Sequence, residues 1–254
     1  MTDLYLIDTH AHLDMEENVD LVISNALSSA VKKIIIPAVE EKYFEKILFI
    51  TEKYENVFCQ LGLFPSEAKN WTSDTENVIR KLSLHNKVVA IGEVGLDYYW
   101  DKSFVEEQKE VFKKQILLAN ELNLPIVVHD REAHKDCIEI LKENNKNSNV
   151  VFHCFSGSVE IMKECVKNGW YIALGGVVTF QNAKKMKEVA VDVPLEYLLL
   201  ETDSPYLTPV PYRGKPNQPA YVKYVAEEIA KLKGQPIENI IRVTTENAER
   251  VFKI

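Results

Sequence analysis

Val88-Val89-Ala90-Ile91-Gly92-Glu93-Val94-Gly95-Leu96-Asp97-Tyr98 places a buried-type apolar run directly ahead of a carboxylate set between two glycines. The same order recurs along the chain. His10 and His12 follow Leu4-Tyr5-Leu6-Ile7, and His129 follows Pro125-Ile126-Val127-Val128. His153 follows Val150-Val151-Phe152, and Asp203 follows Leu198-Leu199-Leu200. Short, continuous apolar runs suit strands buried on both faces of a parallel sheet. Five such runs, each with a metal-type ligand just past its end, imply strand ends that converge on one polar site. A barrel enzyme with a metal centre at the C-terminal ends of its strands has this arrangement.

Eight candidate strands emerge: Tyr5–Asp8, Lys33–Ile36, Val57–Leu61, Val88–Ile91, Ile126–His129, Val150–His153, Tyr171–Leu174 and Tyr197–Glu201. Amphipathic stretches separate them. From Phe104 to Leu122, the residues Phe104, Gln108, Phe112, Ile116 and Ala119 recur at three- and four-residue steps, leaving Glu106, Lys109 and Lys113 for solvent. Ser103 and Glu106 are spaced for a capping box. Eight strand–helix units predict a single-domain (β/α)8 TIM barrel of the metal-dependent hydrolase type over residues 1–254. An open doubly wound sheet is the alternative, although it would gather ligands at one switch point. Lys142–Asn149 reads as a polar turn. Ser204–Ala220 carries five of the ten prolines, which predicts a stiff loop at the barrel mouth after the eighth strand.

The 254 residues, 46% hydrophobic, suffice for a large core. No apolar run approaches the roughly 20 residues that span a bilayer, and Met1-Thr2-Asp3-Leu4-Tyr5 lacks the features of a signal peptide. The expectation is a soluble cytoplasmic protein with no membrane association and no evident obligate protein partner. The four cysteines include no C-x-x-C pair, which disfavours a zinc ribbon and suits a reducing compartment. Cys154, beside His153, is read as a small packed residue rather than a soft ligand. Thirty basic against 38 acidic residues give a net charge of −8, which argues against a broad passive nucleic-acid surface.

Side chains two apart on a strand point the same way, so His10 and His12 can reach one metal, with Asp8 and Asp14 as supports. Glu93 has two oxygens with which to bridge a pair of cations, and its flanking glycines suggest a tight turn. His129 and His153 can hold a second cation. Asp203 can ligate and accept a water proton, with Glu201 a weaker candidate. Ion pairs and hydrogen-bonded core histidines are the alternative reading of each residue alone; their coincidence favours metal. Mixed imidazole and carboxylate donors suit Zn, Mn, Fe or Co, and Mg less readily.

Asp8-Thr9-His10-Ala11-His12-Leu13-Asp14 resembles the opening motif of the TatD family of metal-dependent deoxyribonucleases. Gly92 to Tyr99, His129-Asp130-Arg131, Phe152 to Gly157 and Glu201-Thr202-Asp203-Ser204-Pro205-Tyr206-Leu207 resemble its later motifs. Arg213-Gly214, Asn217 and Pro219 resemble its late loop, and Glu246-Asn247-Ala248 its terminal helix. The resemblance implies an amidohydrolase-like barrel with a dinuclear centre: His10, His12 and Asp203 on one metal, His129 and His153 on the other, Glu93 bridging. It further implies magnesium or manganese and 3′-to-5′ exonuclease action on DNA, either single-stranded or at strand ends. Taken with the residue reading, the cofactors expected are two divalent cations, Mg, Mn or Zn. Arg131, Arg213 and Asn217 are the candidate substrate contacts, with Lys215 more simply a solvated charge. Trp71, Tyr98, Tyr99, Trp100 and Tyr206 could stack on a base, or pack beneath loops. The chain departs from the family after its third strand, where Gly62-Leu63-Phe64-Pro65 replaces a Gly-x-His-Pro pattern. Hydrolysis of a carboxylic ester or amide, such as an aminoacyl-tRNA ester, is a second reading, and a non-catalytic metal-binding scaffold a third.

Overall fold

A computed structural model describes residues 4–146 and 149–254. Its strands are β1 (Leu6–Asp8), β2 (Val31–Ala38), β3 (Val57–Leu61), β4 (Val88–Asp97), β5 (Ile126–Arg131), β6 (Val150–Phe152), β7 (Tyr171–Leu174) and β8 (Leu198–Leu200). Its helices are α1 (Val19–Ser28), α2 (Phe44–Lys53), α3 (Ser73–Leu82), α4 (Val105–Leu122), α5 (His134–Asn144), α6 (Val159–Lys167), α7 (Lys184–Asp192), α8 (Val222–Lys233) and α9 (Ile237–Phe252). The sheet follows chain order from β1 to β8. The pairs β1–β2, β3–β4, β4–β5, β5–β6 and β7–β8 are parallel. This is the (β/α)8 barrel fold. A doubly wound sheet would reverse its strand order at a switch point, and no reversal occurs.

The chain divides into two compact units, one ending at Ile36 and resuming over Gly157–Ile254, the other Pro37–Ser156. In the first unit, the outermost strands of the series are stitched together. Thr9 N donates to Leu200 O at 3.1 Å and Asp203 N to His10 O at 2.9 Å, and Ala11 bridges Ser204 in parallel. Helix α9 anchors the opposite strand ends: Asn247 Nδ2 donates to Leu195 O and Leu198 O, and Thr245 Oγ1 to Tyr5 O.

In the second unit all ten residues of β4 are buried, as a strand covered on both faces requires. Helix α4 packs its Phe104, Gln108, Phe112, Ile116 and Ala119 face inward as the periodicity predicts. Its start differs from expectation. Phe104 is the N-cap residue and provides no side-chain cap, while Ser103 N bonds Asp101 Oδ1. Phe104 packs with Ala68, Val111 and Trp71, so the helix starts one residue later than the expected capping box and has no such box. Helix α5 runs on through Asn144, so Lys142–Asn144 is helical rather than turn. Asn147 and Ser148 of that expected turn lie outside the described residues.

Candidate metal centre

Three strands continue further than the candidate segments: β2 spans Val31–Ala38 against an expected Lys33–Ile36, β4 runs on past Ile91 to Asp97, and β5 past His129 to Arg131. Glu93 lies within β4 and His129 within β5, because the ladder carries on through Val94–Val128, Gly95–His129 and Asp97–Arg131. Between Ile91 and Val94 the register shifts: three steps along β4 match two along β5. This local bulge re-aims the intervening side chain, Glu93. The flanking glycines therefore serve close packing rather than a chain reversal. A Cβ on Gly92 would lie 2.8 Å from Val127 Cβ, and one on Gly95 would lie 2.1 Å from His129 O. Gly95 also has φ +143°, a conformation other residues rarely adopt.

The bulge brings Glu93 to two imidazoles. Its Oε1 lies 2.8 Å from His129 Nδ1 and 3.5 Å from His153 Nε2, and one ligand atom from each residue falls within 4.8 Å of the others. Glu93 and His153 are buried, and His129 is 16% exposed. Two imidazoles and one buried carboxylate converging this closely form a donor set that fits a divalent cation. His129 has a second carboxylate on its other nitrogen: Nε2 lies 3.0 Å from Asp97 Oδ2. Burial disfavours the charged ring, but Asp97 and Glu93 outweigh it and hold the His129 pKa above its ordinary value. Burial would likewise raise the Asp97 carboxyl, yet His129 and the amides of Tyr99 and Trp100 hold it below its ordinary value.

Asp97 supports His129 as carboxylates beside metal-binding histidines commonly do. It is itself clamped by α4. Gln108 Oε1 accepts from Asp97 N at 2.9 Å, and Gln108 Nε2 donates to Asp97 O at 3.2 Å. Two turns further along, Gln115 grips Leu63 in the same manner, at 2.8 and 3.1 Å. The next residue, Phe64, sets its ring edge-to-face against His129 with centroids 4.5 Å apart. The supporting roles of Asp97, Gln108 and Gln115 were not read from sequence. The available signal was two glutamines seven apart on an otherwise apolar helix face, each needing a buried polar partner.

In the first unit, His12 Nε2 lies 3.5 Å from Asp203 Oδ1, and the His10 and His12 rings stand 5.3 Å apart. Asp203 has φ +55°, which a short polar side chain tolerates. Asp8 supports this segment through the backbone: Oδ1 accepts from His10 N and Thr202 N, and Oδ2 accepts from the Thr202 hydroxyl at 2.6 Å. Burial pushes the Asp8 carboxyl well above its ordinary value, opposed by those hydrogen bonds. Glu201 is buried at the end of β8, and Cys154 is partly exposed after β6.

Of the expected substrate contacts, Arg131 is exposed beside Tyr99, its guanidinium 4.0 Å from the ring centroid. Arg213 is exposed on the proline-rich loop, lies 3.8 Å over Phe180 and donates to Thr208 O. Asn217 is buried, and its Nδ2 donates to Thr202 O at 2.8 Å and Tyr206 O at 2.7 Å. It thus brackets the loop that carries Arg213. Lys215 is exposed. Among the aromatics, Trp71 packs as loop filler, Tyr98 bonds Asp136 and Tyr206 is exposed.

Residues 7–253 match the family model described as TatD related DNase. The chain is 47% identical over 253 residues to the uncharacterized metal-dependent hydrolase YabD of Bacillus subtilis, covering 98% of this chain and 99% of the relative. It is 39% identical to the uncharacterized metal-dependent hydrolase YcfH of Escherichia coli, covering 99% and 97%. The crystal structure of the TatD homolog YjjV from Escherichia coli superimposes with a TM-score of 0.93 at 31% identity, covering 98% of each chain. A TatD family hydrolase from Entamoeba histolytica shares the fold, with a TM-score of 0.88 at 24% identity over 99% of each chain. The chain belongs to the TatD family of metal-dependent hydrolases.

Proposed function

We propose that this hydrolase cleaves phosphodiester bonds of DNA with two divalent cations, acting on single strands or strand ends in the 3′-to-5′ direction. The observation that carries the reading is the buried Glu93–His129–His153 convergence, and the description of the family model, TatD related DNase, supplies the substrate class. His10, His12 and Asp203 would hold one cation and His129 and His153 the other, with Glu93 available to both. Mg, Mn and Zn are the candidate ions.

Bound cations would lower the pKa of a water molecule and polarise the phosphoryl oxygen. Asp203 would take up the proton of the attacking water. Arg131 and Arg213 present guanidinium forks to the phosphates. Asn217 contributes to substrate binding by holding the Arg213 loop in shape, and Asp97 keeps His129 oriented. We read residues 1–254 as one catalytic domain that acts in the cytoplasm without an obligate protein partner. Among the described residues, no helix is long and apolar enough to cross a membrane.

The test is cleavage of single-stranded DNA labelled at one end or the other, with each metal added in turn and bound metal measured. Glu93→Gln keeps the size and removes the charge, so cleavage should fall by orders of magnitude while the protein stays folded. Wild-type rates in that variant at full metal content would remove Glu93 from the centre.

A further inference from the structure

The loop after β4 exposes aromatic surface that folding alone does not require. Trp100 is 75% exposed and Tyr99 50% exposed. Their rings meet edge-to-face at 4.8 Å between centroids and 87° between planes. The Arg131 guanidinium at the end of β5 lies 4.0 Å from the Tyr99 centroid and 5.5 Å from that of Trp100. Among the described residues no carboxylate pairs with this guanidinium, although the chain carries a net charge of −8. A cation left without an acidic partner in an acidic protein is available to an anionic ligand.

The loop is also tied to the candidate ligands. Asp97 Oδ1 accepts the amides of Tyr99 at 2.9 Å and Trp100 at 3.3 Å, while Oδ2 of the same carboxylate meets His129. One side chain thus separates the exposed indole's backbone from a metal-type histidine. An exposed indole beside a guanidinium that rests on aromatic rings rather than on a carboxylate matches a nucleotide, which carries a flat base and a phosphate within one repeat.

We propose that Tyr99, Trp100 and Arg131 form a subsite that stacks one base of the bound strand on Trp100 and pairs a neighbouring phosphate with Arg131. The proposal rests on the phosphodiesterase reading and deepens it. Stacking of this kind tolerates any base but requires one, so the subsite discriminates a base from its absence.

The experiment measures binding by fluorescence anisotropy, without added metal, of two labelled single strands. One is an ordinary oligonucleotide, and the other carries abasic tetrahydrofuran residues at both ends. Wild-type protein should bind the ordinary strand about 5- to 150-fold more tightly, the range expected for one stacked base. Trp100→Ala should abolish that difference and Trp100→Phe should keep most of it. Arg131→Gln should weaken both strands and lower the salt dependence by about one phosphate contact. Trp100 is so exposed that its replacement should leave the fold intact, which circular dichroism checks. Equal wild-type binding of the two strands, no binding of either, or a difference that survives in Trp100→Ala overturns the subsite. Cleavage with Mg, Mn and Zn, run in parallel, judges the nuclease reading separately: absence of turnover with preserved base-dependent binding would sink that reading and leave the subsite standing.

Discussion

Gln108→Leu should loosen the metal centre without touching any ligand. The glutamine is almost fully buried, and its two hydrogen bonds satisfy both the N–H and the C=O of Asp97. Leucine fits the space but offers neither bond. Each buried backbone group left without a partner costs about 1–3 kcal/mol, so the pair costs roughly 2–6 kcal/mol. The more apolar side chain returns about 1–2 kcal/mol of burial. The net loss is then roughly 0–5 kcal/mol with a mid-range value of about 2.5 kcal/mol, which at about 2–4 °C per kcal/mol for a chain of this size lowers the melting midpoint by several degrees. The second consequence is local. Asp97 orients His129, and losing such a support typically weakens metal affinity about 10- to 100-fold. Competition of the purified protein against a chromophoric chelator for zinc measures this. Asn247→Leu is the control, since it removes two buried hydrogen bonds to the carbonyls of Leu195 and Leu198 at similar cost but does not touch Asp97 or His129. The reasoning fails if both variants lose zinc affinity equally, or if Gln108→Leu melts early yet binds zinc like the wild type.

Asp203→Asn should abolish turnover, because an amide cannot take up the water's proton, while oligonucleotide binding falls far less. Retention of a tenth of the wild-type rate would refute the assignment of Asp203 as base. Arg213→Ala should raise KM for DNA and reduce the salt slope by about one, with little change on a small phosphodiester that does not reach the loop. Equal losses on both substrates would assign Arg213 to loop structure through Phe180 and Thr208. Phe64→His should raise kcat on DNA at unchanged metal content, since a positioned acid–base group contributes about 10²–10⁴-fold and the Phe64 ring already lies beside His129. A metal-replete variant that is no faster would show that the phenyl ring costs the chemical step nothing.

Sequence alone made the eight strands legible, because parallel strands covered on both faces must be largely apolar, as β6 and β8 are throughout and β4 is over Val88–Ile91. It also singled out the candidate ligands, since five histidine or carboxylate positions directly after such runs are an improbable coincidence of ion pairs and core histidines. The extents of β4 and β5 were not legible. Past Ile91 and His129 small and polar residues interrupt the apolar pattern, and only the ladder between the strands shows that pairing continues through Asp97 and Arg131. Local sequence likewise could not distinguish a glycine that reverses the chain from one that lets two backbones touch, the role Gly95 has against His129. The supporting residues needed the tertiary structure most. Gln108 and Gln115 pair with backbone 11 and 52 positions away, and Asp97 pairs with His129 across 32. A buried polar side chain states that it needs a partner, but hydrogen bonding is short-ranged and the fold alone decides which distant group arrives within 3 Å.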